Sequence, residues 1–312
     1  MTQLTQALTL FFSLFVTALP FLLFGIVVSS FLLVFIKKQW LSDRFPKNPL
    51  FCAVMGSCLG VVIPVGQYGN VPVARRLILQ GVPLPVAISF LVAAPIVNPM
   101  TIWLSWQALQ APGTYIPESH LVFQVAFALL TAIVLGLIFG AYKNRRQNSV
   151  LKSSLLLSGT FLVPSHRNSL TELSSSRQKQ PQTDIPLRLL NNIRQELLQL
   201  APALAVGSAL AAIVNLFVPH RLFLGHNSPT QILASMSMGM ILSTGSTAIP
   251  FAIGSLPVTN GALLSFGLAG AVVDLKSVSL LLLVFRFKPL LYLIILFILL
   301  TFLLTLSLDF YL

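Results

Sequence analysis

The sequence predicts an all-α integral membrane protein. The expected architecture is a polytopic helical bundle of two related, inverted halves, each with three full spans and one broken, re-entrant helical segment. Three observations carry this. First, only 8% of residues are charged, where soluble domains run near ~25%. Mean hydropathy is +0.89, and apolar runs of twenty residues and more recur. A chain of that composition crosses a membrane several times. Second, two apolar stretches, 55–106 and 238–285, are littered with helix breakers; the first holds six prolines, an Asn-Pro pair and an Arg-Arg pair. Membranes tolerate broken backbone only where protein buries it or where it lines a polar cavity. Third, the Lys and Arg residues are unevenly placed. Nine of the 19 lie within 143–194, and most others flank apolar runs.

The elements follow in order. Residues 8–36 form one long span. No basic segment precedes it, and it is too long for the core of a signal peptide, so it is retained. Pro20 is expected to kink it. Lys37, Lys38, Arg44 and Lys47 follow. Residues 49–66 are apolar but short, and they end at Pro64 and Gly66. The polar break GQYGNVP comes next, then VARRLILQ. A span over 81–110 is interrupted by Pro95 and Pro99, and 120–142 is an unbroken span. Residues 143–195 read as a basic linker on the cytoplasmic side, with a disordered centre, SLTELSSSRQKQPQTD. The second half repeats the order: a span over 197–218, a broken segment over 231–254, a span over 259–285 containing Asp274 and Lys276, and a last span over 289–311. The domains are therefore 1–142, 143–195 and 196–312.

The residue-level echo is SFLVAAPIVNPMTI from Ser89 against SFGLAGAVVDLKSV from Ser265. Four of fourteen positions agree, and Asn98 faces Asp274. Orientation follows from the loop charges. If every broken segment crossed fully, 11 Lys and Arg would lie inside and 7 outside. If both are re-entrant, 17 lie inside and 1 outside. The second arrangement is preferred, and it inverts one half against the other, the plan of many secondary transporters.

Several residues could carry chemistry. Gln67, Tyr68, Gly69 and Asn70 sit at the first break, where freed backbone and polar side chains can coordinate a solute; a capped turn at the interface is the plainer alternative. Arg75 and Arg76 suit an anionic solute at a cytoplasmic mouth, or lipid headgroups. Asn98 lies between Pro95 and Pro99, among carbonyls those rings set free. Asp274 is an ionisable residue inside a span, which costs about 2.5 kcal/mol or more and so points to function. It suits a proton or a cation, with a local pairing to Lys276 or a helix end as the structural alternative. Ser243, Thr244 and Ser246 belong to the STGST run of the second break and suit either a polar path or close helix packing. Cys52 and Cys58 are six apart, about 240° around a helix, so they share no face. Met236, Met238 and Met240 alternate and form no stripe. His120, His166, His220 and His226 lie in or beside loops. No nucleophile elbow, zinc motif or phosphate loop occurs, so no catalytic residue, metal site or cofactor is expected. The net charge of +12 reflects topology; no nucleic-acid motif accompanies it.

The motifs resemble the ArsP-like/YraQ-like permease family. Its first block, roughly P-x-C-x-C-G-x-x-P-x-x-x-x-L-x-x-x-G-x-P and then F-L-L-A-x-P-x-x-N-P, corresponds to PVGQYGNVPVARRLILQGVP and FLVAAPIVNP. Its second, roughly L-S-x-C-S-T-x-D-A-F and then G-P-x-x-D-x-K, corresponds to LSTGSTAIPF and GAVVDLK. Gly69, Pro72, Pro95, Asn98, Pro99, Asp274 and Lys276 match, and Asn70, Arg75 and Arg76 carry over at positions these blocks leave open. The family cysteines fall at Gly66, Tyr68 and Gly245, its second-block acid at Ile249, and the proline of G-P at Ala271. The thiolate export of trivalent organoarsenicals attributed to some members therefore does not carry over. The resemblance implies a secondary permease of the cytoplasmic membrane that moves a small polar or ionic solute by alternating access. A non-transporting scaffold or sensor subunit of the same fold is the alternative. The expected partners are the bilayer and a small solute, and a homo-oligomer is compatible with this plan.

Overall fold

The computed structural model describes residues 3–36, 45–46, 48–110, 119–141, 185–217, 228–243, 245–246 and 259–311. Every element in them is helical: α1 (Gln3–Phe35), α2 (Pro49–Val62), α3 (Gly66–Leu79), α4 (Leu84–Val97), α5 (Pro99–Leu109), α6 (Ser119–Ala141), α7 (Ile185–Phe217), α8 (Ser228–Leu242), α9 (Asn260–Val272), α10 (Leu275–Val284) and α11 (Phe287–Tyr311). The disordered centre expected of the linker, the run from 247 to 258 and Thr244 lie outside the described residues.

Local chemistry sets the boundaries. Asn48 caps α2, its side chain accepting from Leu50 N at 3.0 Å, with Pro49 preset for the first helical position. Pro64 stops continuation after α2. α4 runs through Pro95 and ends at Val97, because Asn98, the residue preceding Pro99, is driven to extended backbone, with ψ 131. The interruption is therefore at Asn98 alone. Likewise, α1 runs as one helix through Pro20. α7 begins at Ile185, inside the stretch read as linker.

Among the described residues, five helical stretches are long and apolar enough to cross a membrane: α1, α4 with α5, α6, α7 and α11. α9 and α10, bent by 40°, make a sixth if taken as one span. α2 has 14 residues and α8 has 15, about 21 and 22 Å of helix, short of a ~30 Å hydrocarbon core. Among the described residues, α1, α4 with α5, and α6 are span-length stretches accompanied by the short apolar α2, whereas α7, α11 and the bent α9–α10 pair are accompanied by the short helix α8. The packing recurs as well. In the first half α2, α4 and α6 pack on one another; in the second, α8, α9 and α11 do. Both sets use a glycine for the tightest approach. A Cβ on Gly56 would stand 2.3 Å from Val86 O, and one on Gly239 would stand 2.5 Å from Phe266 O.

Burial sorts the helices. Of the α4–α5 window 78% is buried, against 33% for α1, α6 and α7 and 28% for α11. α4 and α9 touch at the centre, and α1, α6, α7 and α11 surround them with apolar side chains outward. α3 carries mostly polar and small residues yet is buried from Gly66 to Ile78, against α1, α4 and α10. Most of the first helix-breaking stretch, residues 65–78 and 84–98, is thus buried inside the bundle, while Pro64 and Pro99 at its ends are exposed.

Candidate functional site

The first break delivers two side chains to the second half. α3 starts at Gly66, so Gln67 and Tyr68 sit in its first turn. Gln67 bridges: its Nε2 donates to Gly270 O on α9 at 2.9 Å, and its Oε1 accepts from Ser246 N at 2.8 Å. Tyr68 Oη donates to Asp274 Oδ2 at 2.7 Å. These groups are about 200 residues apart in sequence, and all are buried.

Asp274 is the centre of the cluster. Val273 and Asp274 interrupt the α9–α10 span, and Asp274 caps α10. Its Oδ1 accepts from Ser277 N at 2.6 Å, while Ser277 Oγ accepts from Asp274 N at 2.9 Å, a reciprocal capping box. Its Oδ2 takes the Tyr68 hydroxyl and also that of Ser243 at 2.7 Å. Three hydrogen-bond donors thus converge on one carboxyl group, itself 1% exposed. The fully buried Lys276 places its ammonium 4.9 Å from the Tyr68 ring centroid, a cation–π contact. Of the two structural alternatives for Asp274, the helix end is met, since it caps α10; Asp274 also ties the two breaks together.

The second break is unusual in its backbone. Ser243 has φ 54 and Gly245 φ 89. A non-glycine residue in the left-handed region is held there against its preference, and Ser243 is held by the bond its hydroxyl makes to Asp274. A Cβ on Gly245 would stand 3.7 Å from Tyr68 Oη and 3.9 Å from Gln67 Oε1, so this glycine also borders the cluster. Of the positions aligned with the family cysteines, Tyr68 and Gly245 thus border one another, while a Cβ on Gly66 would face the ring of Phe21.

Other candidates are placed differently. Asn70 Nδ2 donates to Leu91 O at 2.7 Å, tying α3 to α4, and its buried Oδ1 has no partner. Gly69 lets α3 touch α1; a Cβ there would meet Phe21 O at 2.5 Å. Asn98 caps α5, accepting from Met100 N at 3.0 Å, and its buried Nδ2 has no partner. Asn98 and Asp274 therefore do the same local work, each capping the helix after a mid-span break. Cys52 is buried and Cys58 exposed. His120 is buried in the first turn of α6. No group of three or more His, Cys, Asp or Glu capable of holding a metal occurs among the described residues.

Arg75 and Arg76 are 5% and 8% exposed, so neither is a headgroup anchor on an open surface. Arg76 is ion-paired with Glu196 of α7. Ser29 of α1 joins them, donating to Glu196 Oε1 at 3.1 Å and accepting from Arg76 Nε at 3.3 Å. Arg75 donates to Gln199 Oε1 at 3.2 Å. Glu196, Gln199 and Ser29 escaped the sequence reading. The available signal was a lone acid just ahead of the apolar run 197–217; its partner 120 residues away was not legible. Taking the two buried arginines out of the loop-charge count leaves the re-entrant arrangement preferred.

Comparison with known proteins agrees with this architecture. A protein of Bacillus subtilis named UPF0718 protein YcgR is 26% identical over 285 residues, covering 90% of this chain and 89% of that protein. A putative two-component membrane permease complex subunit of Streptococcus mutans is 28% identical over 291 residues, covering 92% and 89%. No solved structure matches. Residues 3–310 match the family described as ArsP_1, predicted permease. With that match over nearly its whole length, the chain belongs to the ArsP_1 family of predicted permeases, as a multi-pass membrane protein.

Proposed function

We propose that this chain is a secondary permease of the cytoplasmic membrane, moving a small polar or ionic solute through the place where its two breaks meet. The observation that carries the reading is the buried set of bonds between Gln67 and Tyr68 on one side and Gly270, Asp274 and Ser246 on the other. A membrane interior holds polar groups in such density where solute or ion passes. In this reading the halves, 1–142 and 196–312, are inverted about a cytoplasmic linker, 143–195. The bonds described are the closed contacts of an occluded state. Alternating access breaks them, and the solute takes up the valences of Asp274, Tyr68, Ser243 and Gln67 that now satisfy each other. Asn70 and Asn98, each with a buried unpartnered atom, contribute polar groups along the same path.

The test is a deletion strain challenged with a panel of metals, metalloids and small anions and complemented with wild type or Asp274→Asn. Asn caps helices about as well as Asp, so the variant should insert normally. Rescue by wild type and loss of rescue by the variant support transport. Equal rescue by both would count against a role for the carboxylate.

A second reading is favoured by the name of the Streptococcus relative, a subunit of a two-component permease complex. In it this chain transports only with a second chain, or serves it as scaffold or sensor. Co-purification of a stoichiometric partner, together with an unchanged Asp274→Asn phenotype, separates it from the first.

A further inference from the structure

Adjacent on α3, Arg75 and Arg76 share one carboxylate. Glu196 is bonded to Arg76 and Ser29 through Oε1 alone, and its buried Oε2 has no partner. Arg75 is left with a neutral amide oxygen, that of Gln199, and its buried Nε has no partner. No carboxylate pairs with it among the described residues. The cluster therefore carries two guanidinium charges against one carboxylate, in a place where both arginines are nine-tenths buried or more. Removing a charge from water without a counter-charge is costly, and a guanidinium cannot escape that cost by losing its proton. Position adds to this. Glu196 is the last ionised residue of α7 before the uncharged run 197–217, and Gln199 lies about one turn further in. That is the depth at which a span passes from headgroups to hydrocarbon.

We propose that Arg75 is an anion site, taking a phosphate-type oxyanion where α3 meets α7. The planar fork of a guanidinium matches two oxygens of such a group better than it matches a spherical ion. Glu196 does not repel the ligand strongly, because Arg76 neutralises it. The oxyanion is carried by a free anion or by a lipid headgroup; the chemistry is the same and the source differs. This inference does not rest on the solute site at Asp274.

The experiment uses the full chain purified in a neutral detergent, with thermal unfolding as the readout. Sodium phosphate is titrated against sodium chloride at matched ionic strength. Separately, phosphatidylglycerol is compared with phosphate-free monoolein. Wild type should show a saturable rise of about 3 °C or more with at least one probe, and which probe identifies the source. Gln199→Glu supplies the missing carboxylate from within. It should unfold at a higher temperature than wild type without ligand and lose the response to both probes. Arg75→Gln should lose the response too. No rise in wild type with either probe overturns the proposal. So does a response that survives undiminished in Gln199→Glu, or a Gln199→Glu chain that fails to fold, since Arg75 would then want no counter-charge.

Discussion

At the scale of single residues, the two arginines show how little a sequence motif says about use. Side by side, they looked equivalent; the fold spends one on Glu196 and leaves the other with an amide. Arg76→Gln should strand Glu196 as a buried, unpaired charge and cost about 3–5 kcal/mol. The double variant with Glu196→Gln should recover most of that. A thermal-unfolding cycle over the four proteins reads the coupling, and additive losses would count against the pair. At the other cluster, Tyr68→Phe removes one of three donors from Asp274 and keeps the ring beneath Lys276. It should cost about 1.5–3 kcal/mol, the range for a bond to a charged group, with membrane insertion intact. Asp274 itself was legible, because an acid within an apolar run has few innocent explanations. Its partners were not: Tyr68 and Ser243 reach it from distant elements, and no local pattern encodes that.

At the scale of elements, the breaks were readable because proline and glycine act locally. Asn98 precedes Pro99, and so α4 had to stop there; Pro20 and Pro95 lie inside helices that continue, a choice made by tertiary packing. What the breaks lead to depends on neighbours. α3 opens on polar and small residues, Gly66 to Asn70, and carries Arg75 and Arg76, yet α1, α4 and α10 enclose it. Close packing gives a direct check. Gly56→Ala and Gly239→Ala each place a Cβ against rigid backbone, at 2.3 and 2.5 Å, so each should cost about 1–3 kcal/mol. Equal losses at the two sites, seen as lower unfolding temperatures, fit elements that repeat in both halves; tolerance at one alone would not. Asp309 near the end of α11 is a further tie. It accepts from Ser228 Oγ, Thr259 Oγ1 and Gly261 N at 2.6–2.7 Å, so Asp309→Ala should loosen α8 and α9 from α11 and lower the unfolding temperature.

At the scale of the whole molecule, hydropathy made the length of the spans readable, since the bilayer sets it, and of the six spans expected the described residues hold five, or six if α9 and α10 are one. Hydropathy did not give the way the halves interlock, which depends on a few buried polar bonds. The inverted layout predicts that a tag within 37–44 and one within 143–184 face the same side of the membrane, with the N-terminus opposite. Protease protection of tagged protein reads this, and tags on opposite faces would rule the layout out. The central claim is that water and solute reach the meeting of the breaks, although Ser243 is now fully buried there. The most direct measurement is thiol labelling of Ser243→Cys in a chain whose Cys52 and Cys58 are replaced by serine. A water-soluble, membrane-impermeant reagent should label position 243 from at least one side, and from the other when the transport cycle runs. Labelling by a lipid-soluble maleimide alone, with no reaction from either aqueous side, would mean that the breaks are packed solid and that nothing passes between them.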